Sequence, residues 1–232
     1  MLRKFFSKLF HFLPAPVQFI LLIYVRGLLI FFLFRVVFFV TSLSLMEDMI
    51  LKAKILFNWW GFEKGVLFDS VVSCYLLALP ALVLTAAWVA GHTNTAKLYR
   101  VSWYYLVVMY SLAFFTCAAD IPYFHYNFSR LTAAVFNWMG TPGFVVSMIV
   151  QEPSYFIYFF LFVALLWVFM RVTKKRLQPF FHHEPDEAGL IRKPLFYVKR
   201  TAAALLFLFV VFMGIRGRKQ APIKESGDDD DL

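Results

Sequence analysis

Residues 17–45 form an apolar stretch of twenty-nine positions in which Arg26 and Arg35 are the only charges. A helix on a soluble protein buries one stripe and gives the rest to water, so it is not apolar on every side over such a length. Crossing a hydrocarbon core about 30 Å thick takes about 20 helical residues. Four more stretches approach that requirement, at 66–90, 101–119, 155–170 and, shortest, 201–215. Charged residues are 16% of the chain, whereas a soluble surface needs roughly a quarter. The net charge of +9 does not point to nucleic acid, because the basic residues flank apolar runs rather than forming a basic domain. Anionic phospholipid headgroups are the partner that fits this arrangement. Cys74 and Cys117 lie in or beside apolar runs and read as small buried hydrophobes.

The expected fold is therefore an all-α polytopic membrane protein. Residues 1–215 make a transmembrane domain of five helices, and 216–232 form an extracytoplasmic linker or tail. A sixth apolar stretch, 128–150, is interrupted by Arg130, Asn137, Gly140, Thr141, Pro142 and Gly143. It reads as an additional interfacial or re-entrant helix near 127–150, with Asn127, Arg130, Asn137 and Thr141 on its polar side.

Lys and Arg set the orientation. With five crossings and a cytoplasmic N-terminus, thirteen of them fall on the cytoplasmic side and four in the outer loops, before the C-terminal tail is counted. A further crossing at 128–150 would turn the most basic loop outward. The N-terminus, basic and then apolar, is too long in its apolar part for a cleaved signal and reads as an anchor. The expectation is a multi-pass protein of the cell membrane, N-terminus inside and C-terminus outside.

Charges inside a bilayer are costly and need a reason. Arg26 is near enough to the cytoplasmic interface to snorkel. Arg35 is deeper and requires a partner on another helix; Asp69, one turn into the second span, is the natural one. The pair either registers two helices or helps to hold a lipid phosphate. Glu47, Asp48, Asp69, Asp120, His125, Arg130 and Glu152 all fall near the outer interface, with Tyr110, Tyr123, Tyr126, Trp59, Trp60 and Trp138 as an aromatic belt.

The densest polar group is Asp120, Tyr123, His125, Tyr126 and Arg130. Pro122 is expected to end the third helix, since proline disfavours helical geometry in the residue before it. Arg130 is suited to bidentate phosphate binding, with Tyr123, Tyr126 or His125 donating beside it. The alternative is a re-entrant turn in which Asp120 and Arg130 neutralise each other. The chain carries no metal-site spacing and no nucleophile motif. The segment His182-His183-Glu184-Pro185-Asp186-Glu187 reads as a solvated loop.

The order of features resembles a known family. A Phe-rich first span is followed by Trp59-Trp60-Gly61-Phe62, then Gly65-Val66-Leu67-Phe68-Asp69 opening the second. Ala119-Asp120-Ile121-Pro122-Tyr123-Phe124 follows the third span, with Arg130 close behind. The fifth leads into Gly214-Ile215-Arg216-Gly217 and Ala221-Pro222-Ile223. This plan resembles the membrane domain of the lipoteichoic acid synthase family, sulfatase-like phosphoglycerol transferases, in the variant found in bacteria of the Bacteroides type.

The resemblance implies a bacterial inner membrane and five spans followed by an extracytoplasmic domain of alkaline phosphatase type. There a metal-activated Thr, typically with manganese, moves phosphoglycerol from a phospholipid to an acceptor. The last Thr here is Thr201, within the fifth span, so no catalytic or metal residue transfers and no cofactor is expected in this chain. Asp69, Asp120, Tyr123 and Arg130 are the membrane-domain positions that do transfer. The expected role is to anchor a separate or missing catalytic domain at the outer leaflet and present lipid headgroups to it. A phosphoethanolamine transferase membrane domain, of similar plan, and a stand-alone transporter or channel subunit are the alternatives. The acidic ending Asp228-Asp229-Asp230-Asp231 reads either as a solvated tail or as the mark of a truncated gene.

Overall fold

The computed structural model describes residues 13–42, 59–90, 95–127, 154–181 and 194–216. Among them all regular structure is helical: α1 (Ala15–Ser42), α2 (Trp59–Val89), α3 (Thr95–Asn127), α4 (Ser154–Phe181) and α5 (Pro194–Arg216). With apolar residues on every side, each segment has only its own backbone to satisfy its amides and carbonyls once water is excluded, and helix is the local solution. Proline sits where the first turn tolerates it: Pro16 is the second residue of α1. Gln18 ties that turn down, its side chain donating to the Leu13 carbonyl at 2.7 Å and its backbone N–H to that of Pro14 at 3.0 Å.

The helices alternate in direction. At one end Phe19 packs on Tyr99 at 5.0 Å and on Phe180 at 5.8 Å between ring centroids, joining the starts of α1 and α3 to the end of α4. At the other end Phe38 of α1 meets Phe124 of α3 at 5.1 Å. α5 runs antiparallel along α2: the Arg200 guanidinium lies 4.8 Å over the Trp88 ring and donates to the Trp88 carbonyl, while Gly214 abuts the Cys74 thiol two turns from the other end of the apolar part of α2. The most extensive packing joins α3 to α4 and α2 to both α1 and α5.

The centre is aromatic. Phe31, Phe34, Tyr110, Phe114 and Phe169 form one contiguous buried cluster, with Phe114 edge-on to Phe169 at 5.4 Å and 85°. In lipid such rings gain little from leaving their solvent, so close packing and quadrupole geometry hold the helices together.

The surface identifies that solvent. Leu29, Leu79, Val108, Ile157 and Leu206, one from each helix, are all more than half exposed. A soluble protein rarely shows contiguous apolar surface beyond a few hundred Å². Four helical stretches are long and apolar enough to cross a bilayer: α1 in full, Gly65–Val89, Ala96–His125 and Tyr155–Phe181. This is a membrane protein. α5 is not among the four; its uncharged stretch, 201–215, rises only about 22 Å against a hydrocarbon core of about 30 Å.

α2 and α5 begin about two turns before their expected starts, at Trp59 and Pro194, and α3 and α4 run well past their expected ends. α3 does not end at Pro122 but continues through it to Asn127. Membrane helices tolerate proline within a packed bundle; here Ile121 and Pro122 are buried against the neighbouring helices. α4 does not stop near Met170 either. It carries Arg171, Lys174, Lys175 and Arg176 on an exposed helical extension that ends at Phe181. The expected interfacial helix near 127–150, the His182-His183 loop and the acidic tail lie outside the described residues.

Candidate functional site

Arg35 and Asp69 are brought together. The Arg35 Nη2 donates to Asp69 Oδ2 at 2.6 Å, and the two side chains are 20% and 10% exposed. The local sequence explains the fit. Gly65 lies one turn before Asp69 on α2, and the guanidinium occupies the place where a Cβ on Gly65 would stand. The Gly65-x-x-x-Asp69 spacing thus makes a cradle, the glycine giving room and the carboxylate supplying the countercharge. Arg35 Nε is buried without a hydrogen-bond partner, so the charge is held principally by one contact. Among the described residues this is the one ion pair within the bundle.

A hydroxyl seam continues from it down the same face of α2. Ser70 Oγ and the Tyr24 hydroxyl share a hydrogen bond of 2.5 Å. One turn on, Ser73 is fully buried beside the Tyr110 hydroxyl, and neither completes a hydrogen bond of good geometry. Cys74, a free and half-buried thiol, follows against Gly214. Positions 69, 70, 73 and 74 recur at helical spacing, a signal present in the sequence that went unread there. Tyr110 was expected in the interfacial belt. It is instead fully buried at mid-bundle, among Phe31, Phe114 and Phe169. Its approach to α1 is possible because position 27 is glycine, where a Cβ would collide with the ring.

Asp120, Tyr123 and His125 occupy the last two turns of α3, each half-buried. Asp120 and Tyr123 are both engaged with neighbours. His125 is turned inward: Nδ1 lies 2.9 Å from the Ile121 carbonyl and Nε2 3.0 Å from the Thr41 carbonyl at the end of α1. Carbonyl oxygens only accept, so a neutral ring with one N–H donates to one of them at a time. His125 therefore has both ring nitrogens turned toward carbonyls, one on its own helix and one on α1. Thr41 is six residues beyond Arg35, about 9 Å along the helix, so this end of α3 stands less than two turns above the ion pair. Tyr126 belongs to the last turn of α3, and Arg130 lies outside the described residues.

The opposite end of the bundle is the electrostatic counterpart. Lys97 and Arg100 at the start of α3, Arg171 to Arg176 at the end of α4, and Lys199 and Arg200 at the start of α5 all gather there. Glu63, Asp69 and Asp120, the carboxylates among the described residues, all belong to the other end. Among the described residues no three His, Cys, Asp or Glu side chains converge. The chain matches no protein-family model, no curated protein and no solved structure.

Proposed function

We propose that this chain is the membrane-anchoring module of a phosphoglycerol transferase of the lipoteichoic acid synthase type, holding catalytic chemistry at the outer leaflet of a bacterial inner membrane. The observation that carries the reading is the segregation of charge along an alternating bundle. The end rich in Lys and Arg is the cytoplasmic one under the positive-inside rule. α5 starts at that end and runs antiparallel to α2, so its own C-terminus leads outward as the fifth crossing. The Arg35–Asp69 pair and the Asp120–Tyr123 end of α3 then belong to the outer half, where Arg130 follows in sequence. In this role the ion pair sets the register of α1 and α2, and Asp120, Tyr123, Tyr126 and Arg130 present headgroups.

The transporter alternative requires a polar path through the midplane. The bundle centre among the described residues is filled by Phe31, Phe34, Tyr110, Phe114 and Phe169, which disfavours it. A phosphoethanolamine transferase anchor shares the plan and differs in the headgroup moved.

The test joins this chain to a soluble phosphoglycerol transferase domain and follows diacylglycerol release from phosphatidylglycerol vesicles. Tethering is expected to raise lipid turnover at least about tenfold over the untethered domain at equal concentration. Arg130→Ala in the fusion is expected to remove most of that gain. Equal turnover with and without the tether sinks the anchoring role, and a full gain in Arg130→Ala sinks headgroup presentation.

A further inference from the structure

The basic end carries a feature that anchoring does not use. Between α3 and α4 a groove of about 330 Å³ is walled by Trp103, Tyr104, Val107, Trp167 and Met170, with Arg171 and Lys174 at its mouth. Its volume lies at the small end of the range of ligand pockets. Its walls are apolar and aromatic, and Trp103, stacked on Phe169 at 6.2 Å, is itself buried. Arg171, though exposed, lies along the groove wall: its guanidinium is 5.4 Å over the Trp167 ring, which keeps the charge at the rim. Lys97 and Arg100 are exposed on α3, two turns and one turn before Tyr104 respectively, on the approach to the same mouth.

We infer that this groove is a binding site for an anionic phospholipid of the leaflet on the basic side, one acyl chain lying along the aromatic walls and the phosphate at Arg171 and Lys174. Charge complementarity selects the occupant. Four cations approach one mouth: Arg171 and Lys174 line the groove, and Lys97 and Arg100 stand on the preceding turns of α3. An anion is therefore favoured here over a neutral or zwitterionic headgroup. An acyl chain accounts for the second half of the site: the groove opens where the uncharged part of α4 ends at Met170, the depth at which a lipid passes from headgroup to chain. Tyr104 and Trp167 contribute flat, half-exposed walls of the kind that sit at that boundary. This site is separate from the headgroup-presenting end of α3, and its existence does not depend on the transferase reading.

Native mass spectrometry of the full chain, titrated with phosphatidylglycerol or phosphatidylcholine of equal chain length, tests it. Phosphatidylglycerol is expected to be retained about tenfold more strongly, and that preference is expected to vanish in Arg171→Gln/Lys174→Gln. Arg176→Gln/Arg216→Gln removes the same charge elsewhere and is expected to retain it. Val107→Phe, which fills the groove without changing charge, is expected to weaken phosphatidylglycerol by about the same factor. In the unaltered protein, chain-brominated phosphatidylglycerol is expected to quench tryptophan fluorescence more than brominated phosphatidylcholine, with the difference reduced in Trp167→Phe and lost in Trp103→Phe/Trp167→Phe. Equal retention of the two lipids overturns the proposal. So does an equal loss in both charge variants, which would mean diffuse attraction, and so does unchanged binding in Val107→Phe.

Discussion

Asp69→Leu, with Arg35 left in place, is expected to destabilise the bundle by about 3–5 kcal/mol, the cost of a buried charge deprived of its partner. The guanidinium has no easy escape. It is 20% exposed, lies against the bare backbone of Gly65 and already has a buried Nε without a bond. Arg35→Met/Asp69→Leu removes both charges and is expected to recover most of the loss, because apolar side chains of similar size replace buried ion pairs with little penalty. Reversible unfolding in mixed micelles, run as a double-mutant cycle, measures the coupling. Additive effects of the two single variants would show that the pair is not the link between α1 and α2. Gly65→Ala should reproduce part of the loss, since its methyl takes the guanidinium's place.

Substitution of Gly27 is the second large effect. An added Cβ there stands 2.7 Å from both Cζ and the hydroxyl of Tyr110. The ring cannot swing away, because Phe31, Phe114 and Phe169 surround it within 6.2 Å between centroids. Gly27→Ala is therefore expected to cost about 1–3 kcal/mol as an overpacked contact. Tyr110→Leu alone opens a cavity and is expected to cost about 2–5 kcal/mol. The combination should cost less than the two together, because the alanine methyl enters space that the ring has left. Loss of α1–α3 packing can be followed by thermal unfolding in detergent, and strict additivity would separate the two residues.

These two contacts differ in how far they could be read from the chain. Arg35 and Asp69 were legible because a charge at depth requires a countercharge, and Asp69 is the carboxylate inside the next span. Tyr110 was not. A tyrosine in a hydrophobic run is indistinguishable from an interfacial one by type alone, and Gly27, the residue that admits it, lies on another helix. The seam of Ser70, Ser73 and Cys74 was present as a helical spacing, yet hydroxyls in a membrane helix also bond their own carbonyls. Thr85 does so with Ala81 at 2.6 Å, so spacing alone does not identify a site. Pro122 misled because the local rule on proline concerns isolated backbone, whereas α3 continues against neighbours that bury Ile121 and Pro122. His125 is a related case: its residue type admits headgroup binding, and only the position of the Thr41 carbonyl shows its Nε2 turned toward α1. The groove at the basic end was invisible in sequence, since its two walls lie on different helices and depend on their packing.

The central claim is that the basic end of the bundle faces the cytoplasm and the segment after α5 leaves on the other side. Replacing Cys74 and Cys117 by alanine and introducing Lys174→Cys or Lys219→Cys gives single-thiol proteins for labelling in intact cells with a membrane-impermeant maleimide. The account predicts that the thiol at 219 reacts from outside, whereas the thiol at 174 reacts only after permeabilisation. Labelling of both positions from the same side, or the reverse pattern, would contradict it.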